Sequence, residues 1–297
     1  MKLGLGTAQF GSDYGVTNKA GKVPLEEISR ILRLAADNEV AMLDTAAAYG
    51  ESEAVLGKVL WHGHPFRIVT KCAPLAGERI TPQAAREVRD NFLRSLENLR
   101  QPSVHGLLVH QAADLAKPGA DLLVAELLAL KAQRLVSRVG ASFYSAAQIG
   151  PAASAFALDL VQVPVNVLDQ RLIADGTLRR LRQNGLEIHA RSDFLQGLLL
   201  TERVPAELAP RAAPLLRIGA TARAGGISRL QLALGFVAAI AEVDVGLVGV
   251  TNAGELAEIL VALRSAPGAR DLSHLASDDE DLLNPSRWPK AKAESNA

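Results

Sequence analysis

Short apolar runs alternate with longer helix-period segments along most of the chain, and this alternation constrains the fold more than any other feature. Eight runs rich in Val, Ile and Leu have the composition of strands: residues 3–10, 40–44, 66–72, 105–110, 137–142, 160–165, 186–191 and 243–250. Helix-period segments lie among them at residues 25–38, 82–100, 119–133, 170–184, 228–241 and 254–264. Because eight strand-helix units can close a parallel sheet on itself, the sequence predicts an α/β protein with a single (β/α)8 TIM barrel.

The domain organisation follows from the absence of a linker. A chain of 297 residues fits two ordinary domains or one barrel, and no stretch rich in Pro, Gly and Ser divides it. We therefore expect one barrel domain over residues 1–297, with a polar C-terminal tail from about residue 271. In that tail, acidic residues 278–281 are expected to start a short helix and residues 290–297 to fray. An open doubly wound sheet is the structural alternative, but residues 4–9 lack the third glycine of its dinucleotide fingerprint.

Charge and composition exclude several partners. Lys plus Arg and Asp plus Glu both number 32, so the chain lacks the basic excess that binds nucleic acid or anionic membranes. No apolar run is long enough to span a bilayer, and no secretory signal is visible at the start of the chain. The single cysteine, Cys72, cannot form an internal disulfide. These features predict a cytoplasmic protein without nucleic-acid or membrane partners.

Four polar residues lie at or just after predicted strand ends. Asp44 ends the second strand and Tyr49 follows in the next loop, Lys71 lies near the end of the third strand, and His110 ends the fourth. Each residue alone is typical of a cap or a surface position. In a barrel, however, the carboxyl ends of the strands meet at the face that carries the chemistry, so we expect the four side chains to converge.

Their combined chemistry is that of a proton donor. A tyrosine hydroxyl titrates near pH 10 in water, so it needs a nearby cation to act near neutrality, and Lys71 could be that cation. Asp44 would keep the buried lysine charged, and His110 could orient a substrate oxygen. Such a group suits a carbonyl that receives hydride, and the hydride must come from a cofactor because no side chain supplies one.

The chain resembles the aldo-keto reductases over nearly its whole length. The matching segments are Gly4-Leu5-Gly6-Thr7, Leu43-Asp44-Thr45-Ala46, Tyr49-Gly50 with Glu53, Thr70-Lys71, Val109-His110, Gly140-Ala141-Ser142, Gln162-Val163 with Asn166, Gly197-Leu198-Leu199, and Gly249 leading to Gly254-Glu255-Leu256. The resemblance implies a β/α barrel that binds NADP or NAD without a Rossmann domain. It also implies a catalytic tetrad of Asp44, Tyr49, Lys71 and His110, with Tyr49 as the general acid/base.

The same resemblance implies a set of cofactor-binding residues: Gly6, Thr7, Asp44, Ser142, Gln162, Arg191, Ser192, Phe194, Gln196, Gly249 and Thr251. Ser142 and Gln162 match residues that hold the nicotinamide carboxamide. Two positions depart from the family pattern. Phe143 stands where many relatives have Asn, and Arg191 stands where many have a tyrosine that stacks on nicotinamide. A guanidinium can also stack on a ring, and a pyrophosphate or surface role for Arg191 stays open.

NADP(H) is the expected cofactor and NAD(H) the alternative. The loop and helix N-terminus after the last strand form a natural anion site, where NADP-preferring relatives usually add a basic residue. Here no basic residue occurs between Thr251 and Val261, and Glu255 would repel a phosphate. NADP preference is therefore expected to be weakened, unless Arg223 or Arg229 substitutes.

The leading functional hypothesis is an NAD(P)(H)-dependent oxidoreductase acting on an aldehyde, a ketone or a sugar. One alternative is a sugar 1-dehydrogenase working in the oxidative direction, and another is a regulatory subunit that senses the state of the nicotinamide. A metal-dependent hydrolase ranks last, because only His110 and Asp44 offer ligands at strand ends, and no metal site is expected. A monomer or a small homo-oligomer is expected, while the physiological substrate and the reaction direction stay open.

Overall fold

A closed barrel of eight parallel strands forms the centre of the computed structural model, which describes residues 1–268 and 270–288. The strands are β1 Lys2–Gly6, β2 Met42–Asp44, β3 Arg67–Cys72, β4 Val104–Val109, β5 Val136–Ser142, β6 Leu160–Pro164, β7 Glu187–Arg191 and β8 Val245–Gly249. Each strand pairs with its neighbours in sequence, and β8 closes on β1 in a register that sets Gly249 against Gly6. The predicted (β/α)8 TIM barrel is confirmed.

Helices cover the outside of the barrel. They are α1 Ala8–Gly11, α2 Leu25–Asp37, α3 Ser52–Val59, α4 Pro82–Leu99, α5 Ala120–Ala132, α6 Ala146–Ala155, α7 Arg171–Ala174, α8 Thr177–Gln183, α9 Ala212–Ala224, α10 Arg229–Ala238, α11 Ala253–Arg264 and α12 Glu280–Leu283, with 3-10 turns at Ala112–Ala116, Ala206–Arg211, Ser273–Leu275 and Pro285–Arg287. Local signals account for several ends. Thr81 caps α4 by accepting from the Ala84 N–H, for example, and Pro82 occupies the first helical position.

The first predicted strand is too long. Its ladder ends at Gly6, which pairs with Asp44 of β2 and Gly249 of β8, the last residues of both neighbouring strands. Residues 8–11 therefore have no strand beside them to pair with, and they form the short helix α1 instead.

The helix predicted at residues 170–184 is two helices. Gly176 lies between α7 and α8 with a φ of +73°, a left-handed conformation that ends one helix and precedes the next. Three helices, α3, α6 and α9, were not predicted at all. Pro151 lies inside α6 and Pro214 lies in the first turn of α9, so breaker residues obscure both periodicities.

Residues 271–288, where a polar tail was expected, pack against the rest of the chain as far as Trp288. Apolar side chains account for this, because Leu272, Leu275, Leu282, Leu283 and Trp288 are buried in one cluster with parts of α9 and α10. The short helix expected near residue 278 is confirmed as α12, which Asp279 caps. The fraying predicted for residues 290–297 lies outside the described residues. In residues 1–268 and 270–288, no helix is both long and apolar enough to cross a bilayer.

An apolar layer fills the barrel between its two mouths. The layer consists of Met42, Val69, Leu108, Leu160, Val245 and Leu247. Glycines make room for it: a Cβ on Gly4 would lie 2.8 Å from Leu247 Cδ2, and a Cβ on Gly106 would lie 2.9 Å from Leu160 Cδ2. The interior is therefore packed rather than open, and the two mouths of the barrel are separate surfaces.

One carboxylate is buried without a partner. Asp193 follows β7 with 0% exposure, and neither carboxylate oxygen accepts a hydrogen bond from the residues that the structure describes. It lies against β8 beside the Met1 side chain, since a Cβ on Gly246 would be 2.9 Å from Asp193 Oδ2 and 2.6 Å from Met1 Sδ. Burial raises the pKa of Asp193 well above its usual value.

We predict that this carboxyl makes the fold lose stability as pH rises. An unfolded aspartate titrates near 3.9, so the contribution of Asp193 is fully present below about pH 4 and is lost as pH rises toward the raised folded-state pKa. Asp193→Asn should remove this dependence of the free energy of unfolding on pH. At pH 8 the variant should be more stable than the unchanged protein by about 1–3 kcal/mol. Urea unfolding between pH 5 and 8 measures the effect, with the exposed Asp90→Asn as the matched control. Parallel pH profiles for all three proteins would contradict the prediction.

Candidate active site

The four predicted residues meet at the carboxyl end of the barrel. Asp44 is the last residue of β2, Lys71 lies in β3, His110 directly follows β4, and Tyr49 lies in the loop between β2 and α3. Lys71 Nζ is 2.7 Å from Asp44 Oδ2, 3.0 Å from the Thr45 carbonyl oxygen and 3.5 Å from the Tyr49 hydroxyl. The ammonium group thus bridges a carboxylate and a phenol.

The electrostatics keep Lys71 charged. Its side chain is only 1% exposed, and such burial by itself would lower the pKa of an ammonium group. The Asp44 carboxylate and the Tyr49 hydroxyl outweigh that effect, so the pKa of Lys71 is raised above its usual value. A positive charge therefore lies at hydrogen-bonding distance from the Tyr49 oxygen.

Tyr49 is held between two further contacts. Lys71 Nζ lies 4.9 Å from the centroid of its ring, within the range of a cation–π interaction. The His110 ring meets the Tyr49 ring edge to face, with centroids 5.7 Å apart and planes at 81°. Lys71 in β3 and His110 directly after β4 therefore define the position of the phenol.

His110 is an electrically neutral neighbour. Burial, together with the positive charge of Lys71, lowers its pKa to about 4. Its buried Nδ1 has no hydrogen-bond partner among the residues that the structure describes. At neutral pH the ring is therefore an uncharged imidazole, able to donate one hydrogen bond and accept another.

The predicted carboxamide residues lie beside the tetrad. Ser142 at the end of β5 pairs in register with Gln162 of β6, and both side chains are buried. Gln162 Nε2 donates to Asp44 Oδ1 at 2.7 Å, while Lys71 is bonded to the other oxygen of the same carboxylate. Asp44 thus joins the proton-donor group to the predicted nicotinamide contacts.

Arg191 lies at the end of β7 and covers the same region. Its Nη2 donates to the Phe143 carbonyl oxygen at 3.0 Å and its Nε to Ser142 Oγ at 3.3 Å. The guanidinium carbon lies 4.2 Å from the centroid of the Tyr144 ring. Arg191 therefore covers the Tyr144 ring, and its stacking on a nicotinamide stays a prediction.

Two loops meet above this group. In the loop after β7, the Gln196 carbonyl oxygen accepts from Thr17 Oγ1 at 2.9 Å, and its side-chain Oε1 accepts from the Val16 N–H at 3.3 Å. Ser192, Leu195 and Gln196 all have positive φ angles of 47–63°, which is uncommon for residues other than glycine. Such backbone clusters at sites that bind ligands, and it places the predicted residues Ser192, Phe194 and Gln196 in one strained turn.

Tyr14 also belongs to the mouth, in the loop after β1. The residue is 42% exposed, yet its hydroxyl lies in a partly buried environment near Tyr49 and Arg191. Burial and the neighbouring Tyr49 raise the pKa of Tyr14 to about 12. The residue therefore stays protonated and can offer a hydroxyl to whatever enters the mouth.

Other predicted cofactor residues serve the framework of the site. The Thr7 hydroxyl is fully buried, where it donates to the Asp44 carbonyl oxygen at 2.9 Å and contacts Ser52 Oγ at 2.8 Å. Gly6 and Gly249 face one another across the β1–β8 pair. Gln9 lies directly beside Gly249, since a Cβ there would be 2.6 Å from Gln9 Nε2. Gln9 was missed in the sequence because α1 was taken for strand.

Carboxylates occupy the loop that follows β8. Glu255 accepts from the Thr251 N–H at 2.7 Å and from the Thr251 hydroxyl at 2.8 Å. Glu27, on α2, accepts from the Ala253 N–H at 2.7 Å. Two of the amide donors near the start of α11, those of Thr251 and Ala253, are thus engaged with acidic side chains, and the Glu255 N–H donates to Asn252 Oδ1. Glu27 carries no local sequence signal for this role, because 226 positions separate it from Ala253.

The comparisons with known proteins identify the family of the chain. The family model described as "Aldo/keto reductase family" matches residues 2–268. The chain belongs to the aldo/keto reductase family. No curated protein sequence matches the chain. The family generally uses NADPH or NADH. Because the chain is a member of this family, it is an oxidoreductase.

Solved aldo-keto reductases share the fold of this family member. The holo form of aldo-keto reductase AKR11C1 from Bacillus halodurans is 17% identical, with a TM-score of 0.73 and coverage of 93% of this chain and 92% of that one. The glycerol dehydrogenase AKR11B4 from Gluconobacter oxydans is 20% identical, with a TM-score of 0.70 and coverage of 99% and 95%. At these identities the likeness shows the barrel and not the substrate.

We predict that His110 of this aldo-keto reductase stays neutral from pH 5.5 to 8. Free imidazole titrates near pH 6.5, but burial and Lys71 lower the pKa of His110 to about 4. Ring chemical shifts measured by NMR on histidine-labelled protein should therefore stay constant over that range. His110→Asn identifies the resonance by its disappearance. A His110 ring that titrates between pH 6 and 7 would overturn the prediction.

Proposed function

We propose that the chain is an NAD(P)(H)-dependent oxidoreductase that transfers hydride between nicotinamide and a carbonyl or alcohol carbon, with Tyr49 as the general acid/base. The observation that carries the proposal is the position of Lys71 Nζ, which lies 2.7 Å from Asp44 Oδ2 and 3.5 Å from the Tyr49 hydroxyl. Because the charged Lys71 lies at hydrogen-bonding distance from the phenol, Tyr49 is placed to exchange a proton with a substrate oxygen.

The direction of proton movement follows the direction of the reaction. In reduction, Tyr49 donates its proton to the carbonyl oxygen as negative charge develops there. In oxidation, the Tyr49 oxygen takes the proton from the substrate hydroxyl, with the Lys71 ammonium group beside it. The neutral His110 ring, next to Tyr49, orients the substrate oxygen by a hydrogen bond. Asp44 is a positioning residue, because it acts by keeping Lys71 charged.

The residues present fit a nicotinamide. A carboxamide needs donors and acceptors at one edge, and the Ser142 hydroxyl and the Gln162 amide offer both at neighbouring strand ends. The bond from Gln162 to Asp44 holds that amide in place. The bound cofactor would supply or accept the hydride, and Arg191 lies close enough to Ser142 to cover the ring.

The 2′ position of the adenosine decides between the two nucleotides. Resemblance to the family favours NADP(H), but Glu255 and Glu27 already accept from Thr251 and Ala253 at the expected anion site. A 2′-phosphate placed there would be repelled by the Glu255 carboxylate and, more weakly, by Glu27, which is ion-paired with Arg30 at 2.8 Å. An uncharged 2′-hydroxyl would not be repelled. We therefore propose that NAD(H) is accepted at least as well as NADP(H).

The substrate is a small carbonyl compound or a sugar. The mouth presents the hydroxylated rings of Tyr14 and Tyr144 beside Arg191, which suits a polar substrate that carries several oxygen atoms. A panel of aldehydes, ketones and sugars, assayed in both directions, distinguishes a reductase from a sugar 1-dehydrogenase. If none of these compounds is turned over in either direction, the result would favour the nicotinamide-sensing alternative.

Tyr49→Phe tests the proton donor. The change removes one hydroxyl and keeps the ring contacts with Lys71 and His110, so we expect kcat to fall by about 10²–10⁴-fold while cofactor binding persists. Steady-state kinetics gives the first quantity and quenching of protein fluorescence by reduced cofactor gives the second. Near-normal turnover in this variant would refute the role of Tyr49.

Glu27 and Glu255 test the cofactor proposal. We expect the unchanged protein to bind NADH at least as tightly as NADPH in fluorescence titrations. Glu255→Gln and Glu27→Gln should each strengthen NADPH binding by about two- to fivefold, the effect of one charge near a helix N-terminus, and leave NADH binding almost unchanged.

Glu26→Gln is the matched control, because Glu26 lies in the same first turn of α2 but is exposed and is not bonded to α11. It should leave the ratio of the two affinities unchanged. Tight binding of NADPH with no measurable binding of NADH would overturn the proposed preference.

A further inference from the structure

A second polar pocket lies at the opposite mouth of the barrel, formed by the amino-terminal ends of the strands. Its volume is about 280 Å³. Lys2 and Arg67 are the first residues of β1 and β3, and Glu187 is the first residue of β7. Six charged side chains line the pocket: Lys2, Arg67, Arg138, Arg182, Glu187 and Asp244. The predicted active site lies at the other ends of the same strands, so this pocket is separate from it.

The charges of the pocket do not balance. Glu187 is engaged by Arg138 at 2.8 Å, and by His105 and His189 at 3.0 and 2.9 Å. These contacts outweigh burial and hold the pKa of Glu187 well below its usual value. Asp244 is engaged by Arg182 through both oxygens, at 2.8 and 3.0 Å. Both carboxylates thus already have cationic partners.

Lys2 and Arg67 have none. Within residues 1–268 and 270–288, no carboxylate lies within ion-pair distance of either side chain. Both residues are exposed, and both belong to the lining of a single pocket. Two like charges that face one recess repel each other unless an anion lies between them. The pocket therefore carries two uncompensated positive charges where a ligand could enter.

We propose that this pocket binds a small oxyanion with two negative charges, of the phosphate class. Guanidinium groups bind such oxyanions through two parallel N–H donors, and the free Arg67 supplies one such fork with Lys2 as a further donor. Arg138 and Arg182 each retain donors beyond those bonded to carboxylates. The small volume suits a free phosphate or the phosphate group of a small monoester.

The pocket is isolated from the nicotinamide end of the barrel. The apolar layer of Met42, Val69, Leu108, Leu160, Val245 and Leu247 fills the interior between the two mouths. An anion at Lys2 and Arg67 therefore neither touches the proposed cofactor nor depends on Tyr49. The proposal stands apart from the proposed oxidoreductase function, and the two can fail separately.

Isothermal titration calorimetry of the full chain with inorganic phosphate tests the proposal, at constant ionic strength and with chloride as the background anion. We expect one saturable site. Arg67→Gln and Lys2→Gln should each weaken phosphate binding by about tenfold, the loss of one charge-assisted contact. Arg217→Gln is the matched control, because Arg217 is an exposed arginine on α9 outside the pocket, and it should bind phosphate as the unchanged protein does.

The two substitutions should leave the fold intact, because neither side chain has an ion-pair partner to lose. The melting temperature in chloride should therefore not fall, and phosphate should raise it only when both cations are present. Glycerol 1-phosphate and acetate complete the series. Tighter binding of the monoester than of free phosphate identifies an organic phosphate as the ligand, and the reverse order identifies free phosphate. Non-saturable heats, acetate binding equal to phosphate binding, or equal effects of all three substitutions would overturn the proposal.

Discussion

The buried ion pair between Lys71 and Asp44 is the contact on which the rest of the site depends. Moving two charges out of water costs several kcal/mol per ion, and a close, fully bonded geometry is needed to offset that cost. Here the ammonium also bonds the Thr45 carbonyl oxygen and the Tyr49 hydroxyl, and the carboxylate also accepts from Gln162. Both ions are thereby satisfied. A pair of hydrophobic residues in place of Lys71 and Asp44 could give the fold the same stability, but it could not take part in the proposed proton transfer.

The closed barrel is what brings these partners together. β2 and β3 are adjacent, and Asp44 and Lys71 are only 27 positions apart in the sequence. Gln162, in contrast, is 118 positions away from Asp44. Closure of the sheet turns the Gln162 side chain of β6 toward the barrel axis, where it meets Asp44. The convergence of Asp44, Tyr49, Lys71 and His110 could be predicted from strand ends alone. The Gln162–Asp44 bond could not, because no local pattern records which way two distant strands face.

The differences between the predicted and the observed elements have physical causes of the same kind. Residues 8–10 look like strand, but a parallel strand ends where its neighbours end, and the neighbours of β1 stop at Asp44 and Gly249. The sequence shows Glu255 at the start of α11, whereas Glu27 contacts the same helix from α2 and has no local sequence signal. Local propensity predicts the elements of this barrel well. It does not predict contacts that arise only when the barrel closes.

The two mouths of the barrel show how one interior can carry two independent polar surfaces. At the carboxyl end, Asp44 balances Lys71, and Arg191 bonds the neutral oxygens of Ser142 and Phe143. At the amino end, Arg138 and Arg182 are matched by Glu187 and Asp244, whereas Lys2 and Arg67 have no carboxylate partner among the residues that the structure describes. Between them the apolar layer leaves no polar path through the described interior. Because a low-dielectric layer separates the two groups, an excess of charge at one end is best compensated by an anion from solvent at that end.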